Sequence, residues 1–185
     1  MANVEINDMV ADTTPLDTDE LEIQKTGGGL SRKMTRKNIL KGVYGIMSVQ
    51  GNTTAESTVD TTPRIITAWG TDGLSNSLTV SHVDNYITCV SGFEGDFRVD
   101  LSLSFSGSNS ASYQITIYKY DLSITTWQDT GFSSDRKLGS GGDVGSLTLT
   151  GFVSLEVGDR LAIYQSTTDG SAMTVTEAQM AVERL

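Results

Sequence analysis

From residue 64 onward, apolar and polar side chains alternate in short runs separated by turn residues. This is the period-two pattern of half-buried strands. The clearest run is DFRVDLSLSFSG, residues 96–107. Phe97, Val99, Leu101, Leu103 and Phe105 share one parity, and Arg98, Asp100, Ser102 and Ser104 share the other. SYQITIYKYD follows, with Tyr113, Ile115 and Ile117 set against Gln114, Thr116 and Tyr118. GSLTLTGFVSLEVGDRLAIYQ holds two strands about a turn at Val157-Gly158-Asp159. In SAMTVTEAQMAVERL the apolar parity changes between Met173/Val175 and Met180/Val182. A bulge or bend near Glu177 would reconcile the two halves. Eight or more such strands with no long helix predict a sandwich or jelly roll.

The first 45 residues follow a different pattern. Residues 1–19 are polar and acidic and read as an extended arm, with at most one short strand in ANVEI. In ELEIQK, Leu21 and Ile23 alternate with charged and amide side chains, as in a half-buried strand. TGGG supplies a hairpin loop, since glycine permits positive φ. LSRKM returns as the second strand, Leu30 to Met34. Thr35 reads as an N-cap for one or two helical turns, RKNILK, that stop at Gly42. Ile39 and Leu40 give those turns their apolar face, and a helix so short needs a surface to dock on. Residues 46–63 are rich in Ser, Thr and Gly and read as a linker or a first irregular strand. The expected organisation is an arm and hairpin-plus-short-helix module over 1–45, this connection over 46–63, and a β domain over 64–185.

Charge sharpens this division. The 185 residues carry a formal net charge of −10. Residues 1–44 hold six bases and seven acids, and residues 45–185 hold seven bases and sixteen acids, so −9 of the −10 lies in the second part. The six N-terminal bases, Lys25, Arg32, Lys33, Arg36, Lys37 and Lys41, follow one another with no acid after Glu22. The acidic body is expected to repel nucleic acid and anionic membranes. No run approaches the ~18 apolar residues of a membrane span, so no membrane insertion is expected. Met1 to Asp12 lacks the apolar run of a signal peptide, and secretion by that route is not expected.

Candidate chemistry is sparse. Cys89, the single cysteine, lies in the strand-like NYITCVS and reads as a small buried hydrophobe. His82, the single histidine, has Asp84 two residues on, with no nucleophile to complete a triad. No cysteine or histidine pair has metal-ligand spacing. Asp72 and Asp169 precede glycines and read as turn residues rather than calcium ligands. Glu94 and Asp96 flank a glycine; a carboxylate pair could serve glycoside hydrolysis, and a turn is the simpler reading. GSGGDVG lacks the lysine and helix of a phosphate loop and reads as a mobile loop between strands. Asn52-Thr53-Thr54 matches a glycosylation sequon, idle without secretion. Of the two tryptophans, Trp127 sits in SITTWQDTGF, a hairpin; it is a candidate glycan contact if exposed and an ordinary strand residue if covered. No catalytic residue, cofactor or metal is assigned.

Two stretches resemble a known family. GFEGDFRVDLSLSFSG, residues 92–107, is similar to the glycine-aromatic alternating strand of trimeric jelly rolls of the tumour-necrosis-factor and complement globular-head type. LTGFVSLEVGDRLAIYQ, residues 149–165, resembles that family's pairing of a leucine, a glycine-aspartate turn and a strand. Over residues 64–185 the resemblance implies a jelly-roll β-sandwich that forms a homotrimer. LEIQKTGGGLSRKMTRKNIL, in turn, resembles a short module near the start of bacteriophage virion proteins, where it docks a fibre, spike or decoration protein onto the particle. No collagen repeat or long heptad run separates the two parts, so no shaft is expected.

The fold expectation is therefore mainly β: a C-terminal jelly-roll sandwich preceded by a small hairpin-plus-short-helix module. The functional expectation is a non-enzymatic structural protein of a bacteriophage virion, a trimeric decoration, cement or short spike/fibre protein whose partners are other virion proteins of capsid, portal or tail. Leu21, Ile23, Leu30, Met34, Ile39 and Leu40 would supply docking energy; Arg32, Lys33, Arg36 and Lys37 would steer it. The alternatives are a receptor-binding tail-fibre tip that holds a host surface glycan, and a glycan-degrading enzyme.

Overall fold

The computed structural model describes residues 20–23, 32–35, 42–56 and 61–185. The chain divides into two units, Met1–Gly42 and Val43–Leu185. In the first, β1 (Glu20–Ile23) and β2 (Arg32–Thr35) pair antiparallel, with Leu21 opposite Met34 and Glu22 opposite Lys33. Thr35, expected to cap a helix, is the last strand residue and stands opposite Glu20. The helical turns expected after it lie outside the described residues, as do Leu30, Arg36, Lys37, Ile39 and Leu40.

The second unit is a sandwich of two antiparallel sheets. Its strands are β3 (Tyr44–Gln50), β4 (Arg64–Ile65), β5 (Thr71–Asn76), β6 (Leu78–Ser81), β7 (Tyr86–Cys89), β8 (Gly95–Gly107), β9 (Ser112–Asp121), β10 (Thr126–Lys137), β11 (Val144–Leu155), β12 (Arg160–Thr167) and β13 (Met173–Arg184). One sheet runs β11-β8-β13-β3-β5. The other runs β10-β9-β12-β7-β6, with β4 added beside β12. Their inner faces meet in one hydrophobic core, as a two-layer sandwich requires.

The alternation read from the chain maps onto this core. Phe97, Val99, Leu101, Leu103 and Phe105 of β8 are all buried. So are Tyr113, Ile115 and Ile117 of β9, and Leu161 and Ile163 of β12. In β13 the register against β8 shifts between Val175 and Glu177, at the expected place. The extra residue, Thr176, hands its hydroxyl to the Ser104 carbonyl at 3.1 Å. With that bulge, Met173, Val175, Met180 and Val182 all reach the core despite their opposite parities.

The segment read as a linker over 46–63 begins as part of the body. β3 is seven residues long and pairs with β13 from Tyr44 opposite Glu183 to Gln50 opposite Glu177. Its inward row is Gly45, Met47 and Val49, and its outward row holds Ile46, so hydrophobicity alone does not mark the faces. Residues 51–56 are then tied to β13. Asn52, the sequon residue, donates its side-chain amide to the Val175 carbonyl at 2.9 Å, and Glu56 N–H bonds the Met173 carbonyl at 2.7 Å. The Glu56 carboxylate is itself buried and accepts the Thr67 N–H and hydroxyl.

Among the described residues two core side chains break the polar rule, the Trp69 indole N–H and the Gln165 amide. Gln165 shares the inward parity of Leu161 and Ile163, is 1% exposed, and neither end of its amide has a partner among the described residues. A buried amide without partners costs stability that an apolar side chain of similar length would not. Gln165→Leu should therefore stabilise the chain by about 1–2 kcal/mol. The expected readout is a higher denaturation midpoint at unchanged slope in urea.

Candidate functional site

With the inward rows of β9 and β12 filling the core, their outward rows form the exposed face of the six-stranded sheet. The strand register sets which side chains meet there. Tyr120 stands between Trp127 of β10 and Arg160 of β12; Tyr118 lies opposite Ala162, and Thr116 opposite Tyr164. β7 adds Tyr86 on the same face. The result is a cluster of four tyrosines, a tryptophan and an arginine.

The rings contact one another in the arrangements their quadrupoles favour. Tyr118 and Tyr164 stack with centroids 4.1 Å apart and planes 22° apart. Trp127 meets Tyr120 edge-on at 5.4 Å and stands tilted to Tyr164 at 5.5 Å and to Tyr86 at 6.4 Å. The Arg160 guanidinium lies over Tyr86 at 4.6 Å and Tyr120 at 5.0 Å, a double cation–π wedge. Ala162 and Thr116 have outward parity yet are buried, and in the register they stand opposite Tyr118 and Tyr164.

Burial pushes the Tyr164 phenol up to about 12, with Tyr118 beside it adding to the effect. Burial also raises Tyr118, and the Asp129 charge contributes. Both hydroxyls therefore keep their protons and can donate. Along β9 and β12 the cluster continues into a groove of about 220 Å³ whose walls include Ser112, Gln114, Asp135 and Ser166. The outer face of the five-stranded sheet differs: it bears Ser48, Gln50, Ser102, Ser104, Glu177 and Gln179 around a groove of about 250 Å³.

Of the residues singled out from the sequence, Trp127 is half-buried at the centre of the cluster, in the predicted β9–β10 hairpin. Leu21 and Ile23 lie in β1, and Arg32, Lys33 and Met34 in β2. The sequence does not mark the tyrosines as a group. Outward parity along β9 marks Tyr118 and Tyr120, and only the sheet order brings Tyr86 and Tyr164 beside them.

The remaining candidates resolve into structural roles. Cys89 is buried; burial raises its thiol pKa, and the charges of Glu94 and Asp159 raise it further. His82 pairs with Asp72, not Asp84: its Nδ1 stands 3.1 Å from Asp72 Oδ1, and its backbone N–H donates to the same oxygen at 2.5 Å. Asp84 accepts from the Ser81 hydroxyl at 2.7 Å. Asp72, expected in a turn, lies inside β5, where it staples the β6–β7 turn. Asp169 does sit in a turn, accepting from Thr167 and Ser171. Glu94 accepts the Gly92 N–H at 3.1 Å within its turn, whereas Asp96 belongs to β8. In the GSGGDVG loop the Asp143 carboxylate accepts the Gly139 N–H at 2.8 Å.

At the hairpin end of the sandwich, Asp159 gathers three loops. Its carboxylate is 2% exposed. It accepts the Leu122 N–H at 3.1 Å and the Glu156 N–H at 2.9 Å, and it holds Lys119 Nζ at 2.8 Å. Its carbonyl accepts the Cys89 N–H at 2.9 Å. Burial alone would raise its pKa. The Lys119 bond and the two N–H groups more than offset this, and the carboxyl titrates below its ordinary value.

No family model matches this chain, and no curated protein does. Among solved structures it is similar to the Eiger TNF of S. frugiperda, with a TM-score of 0.55 and 12% identity over 78% of this chain and 92% of that one. At that identity the likeness concerns the fold alone. Together with the two antiparallel sheets, it makes the body a jelly-roll β-sandwich of the tumour-necrosis-factor type.

Proposed function

We propose that this chain is a structural protein of a bacteriophage particle: a homotrimeric decoration, cement or short spike protein, held on the virion through its N-terminal module. The observation that carries this reading is the contrast between the chain's two units. A short hairpin unit contains a run of six bases, and a separate jelly-roll body holds sixteen acids against seven bases. The stretch after Glu22, which holds all six bases and no acid, suits docking on an acidic protein surface, with charge setting encounter rate and register and apolar side chains setting residence time.

The trimer part draws support from the tumour-necrosis-factor-type fold and from the exposed edge strand β11. Its outward side chains Val144 and Phe152 are 58% and 55% exposed, and a neighbouring copy would cover them. Three linked hairpins would then bind with avidity that one lacks.

Mixing the full chain with particles that lack it tests the attachment. Replacing Arg32, Lys33, Arg36 and Lys37 together by serine should slow assembly and flatten its dependence on salt, because exposed charges are screened within ~8 Å at physiological ionic strength. Replacing Ile39 and Leu40 by serine should instead speed release, by the loss of roughly 1.5–3 kcal/mol for each side chain that docking buries. Light scattering should give all three proteins about three times the 19.8 kDa chain mass. Equal occupancy by parent and both variants at every salt concentration removes the docking role from this module.

A further inference from the structure

We propose that the outer face of the six-stranded sheet is a binding track for a neutral oligosaccharide. The inference concerns the body only and does not rest on the virion reading.

Three features of the face point to this ligand class. The first is an aromatic platform with Trp127 at its centre, flanked by Tyr86, Tyr120 and Tyr164 and fixed by the Arg160 wedge. Rings held against one another and against a guanidinium lose little freedom when a ligand stacks on them. The second is the state of their polar atoms. Among the described residues, no hydrogen-bond partner serves the hydroxyls of Tyr86, Tyr118, Tyr120 and Tyr164 or the Trp127 indole N–H. A polar tip that no protein group holds is open to the hydroxyls of a ligand. Tyrosine and tryptophan are the side chains that offer an apolar face and a polar tip together.

The third feature is continuity. Tyr164 and Thr116 are level in the register, and the next outward pair is Ser166 and Gln114, with Asp135 opposite Gln114 on β10. Two residues along a strand are about 7 Å, so the polar groove begins where the rings end. From the Arg160–Tyr120 level to the Ser166–Gln114 level the track spans about 20 Å.

A ligand for this face must present flat C–H surfaces to the rings and hydroxyl groups to their rims and to an amide and a carboxylate. A chain of pyranose sugars does both. An acyl chain would leave the phenols, Gln114 and Asp135 unanswered. A polyanion, whether nucleic acid or acidic glycan, would meet a body with nine more acids than bases.

The test uses the full chain and a panel of neutral hexasaccharides, cellohexaose, maltohexaose and mannohexaose, with polygalacturonate as the anionic arm. Binding is followed by tryptophan fluorescence, in which half-exposed Trp127 responds and buried Trp69 does not, and by calorimetry. At least one neutral hexasaccharide should bind saturably at millimolar concentration. Trp127→Ala should weaken it roughly tenfold. Gln114→Ala, at an exposed position whose loss leaves the fold intact, should weaken it several-fold. Both variants should keep the parent's circular dichroism and mass. The proposal fails if no neutral hexasaccharide binds, if the Gln114 variant binds like the parent, or if polygalacturonate binds more tightly than every neutral sugar. The serine variants of the N-terminal bases should bind sugar like the parent, which separates this site from attachment to the particle.

Discussion

Asp159→Ala should lower the stability of the body by about 3 kcal/mol, because it leaves two backbone donors without their acceptor and a largely buried cation with only the Ser154 carbonyl. The carboxylate serves the β9–β10 hairpin through Leu122, the β11–β12 turn through Glu156, and β9 through Lys119. Removing it therefore loosens one end of the sandwich in three places. Asp159→Asn keeps the side-chain shape and should cost less, since an amide oxygen can still accept one bond. Urea unfolding of the three proteins should rank them parent, Asn, Ala.

The same carboxylate gives this effect a pH signature. Its folded pKa is depressed, so the folded state takes up this proton less readily than the unfolded one. Its contribution is complete above the ordinary aspartate range, near pH 4, and is lost as pH falls from there through the folded value. The stability difference between parent and Asp159→Ala should consequently be constant from pH 7 to about pH 5 and narrow in acid. A difference that widened on acidification would contradict the depressed pKa.

Gly107→Ala is expected to be at least as damaging, although it adds one methyl group. A Cβ at this position would lie 2.2 Å from the Tyr113 hydroxyl oxygen and 2.6 Å from its Cζ. Tyr113 cannot yield easily. Its ring is fully buried, meets Phe105 edge-on at 5.3 Å, and its hydroxyl accepts the Ser108 N–H and donates to the Ala172 carbonyl, both at 3.0 Å. Relieving the overlap means displacing the ring, breaking both bonds and opening the core, at a cost of roughly 3–5 kcal/mol. Tyr113→Phe alone should cost about 1–2 kcal/mol. In that background the added methyl meets a smaller obstacle, so the double variant should be more stable than the sum of the two losses predicts.

Legibility in the sequence follows the contrast between the two faces of each strand. β8 is plain because five large apolar residues alternate with charged and hydroxyl side chains. The β13 bulge is legible for the same reason: apolar residues of opposite parity can reach one core from one strand only if an extra residue is inserted between them. β3 is obscure because its inward row includes Gly45 and its outward row Ile46. The residues after it look like a linker because their ties to β13 are made by Asn52 and Glu56, polar side chains that carry no periodic signal. Asp72 misleads because Asp-Gly marks a turn in most contexts, and here the pair lies within an edge strand. The aromatic cluster needs the sheet order, which sets Tyr86, Tyr120, Trp127 and Tyr164 side by side from four strands dispersed along the chain.

The pairing of β3 with β13 governs how the body can be made. The opening strand of the sandwich can pair with β5 early, but its other neighbour, β13, comes only after every other strand has been synthesised and must enter between β3 and β8. Contacts so distant along the chain slow folding to the millisecond-to-second range typical of β-sandwiches. Until then the apolar row from Phe97 to Phe105 sits on a strand with a vacant edge, ready to pair with a second nascent chain. On a polysome the greatest hazard to this protein is thus the interval before residues 173–184 emerge from the ribosome. Slower, cooler expression, which keeps fewer unfinished chains together, should raise the yield of folded protein.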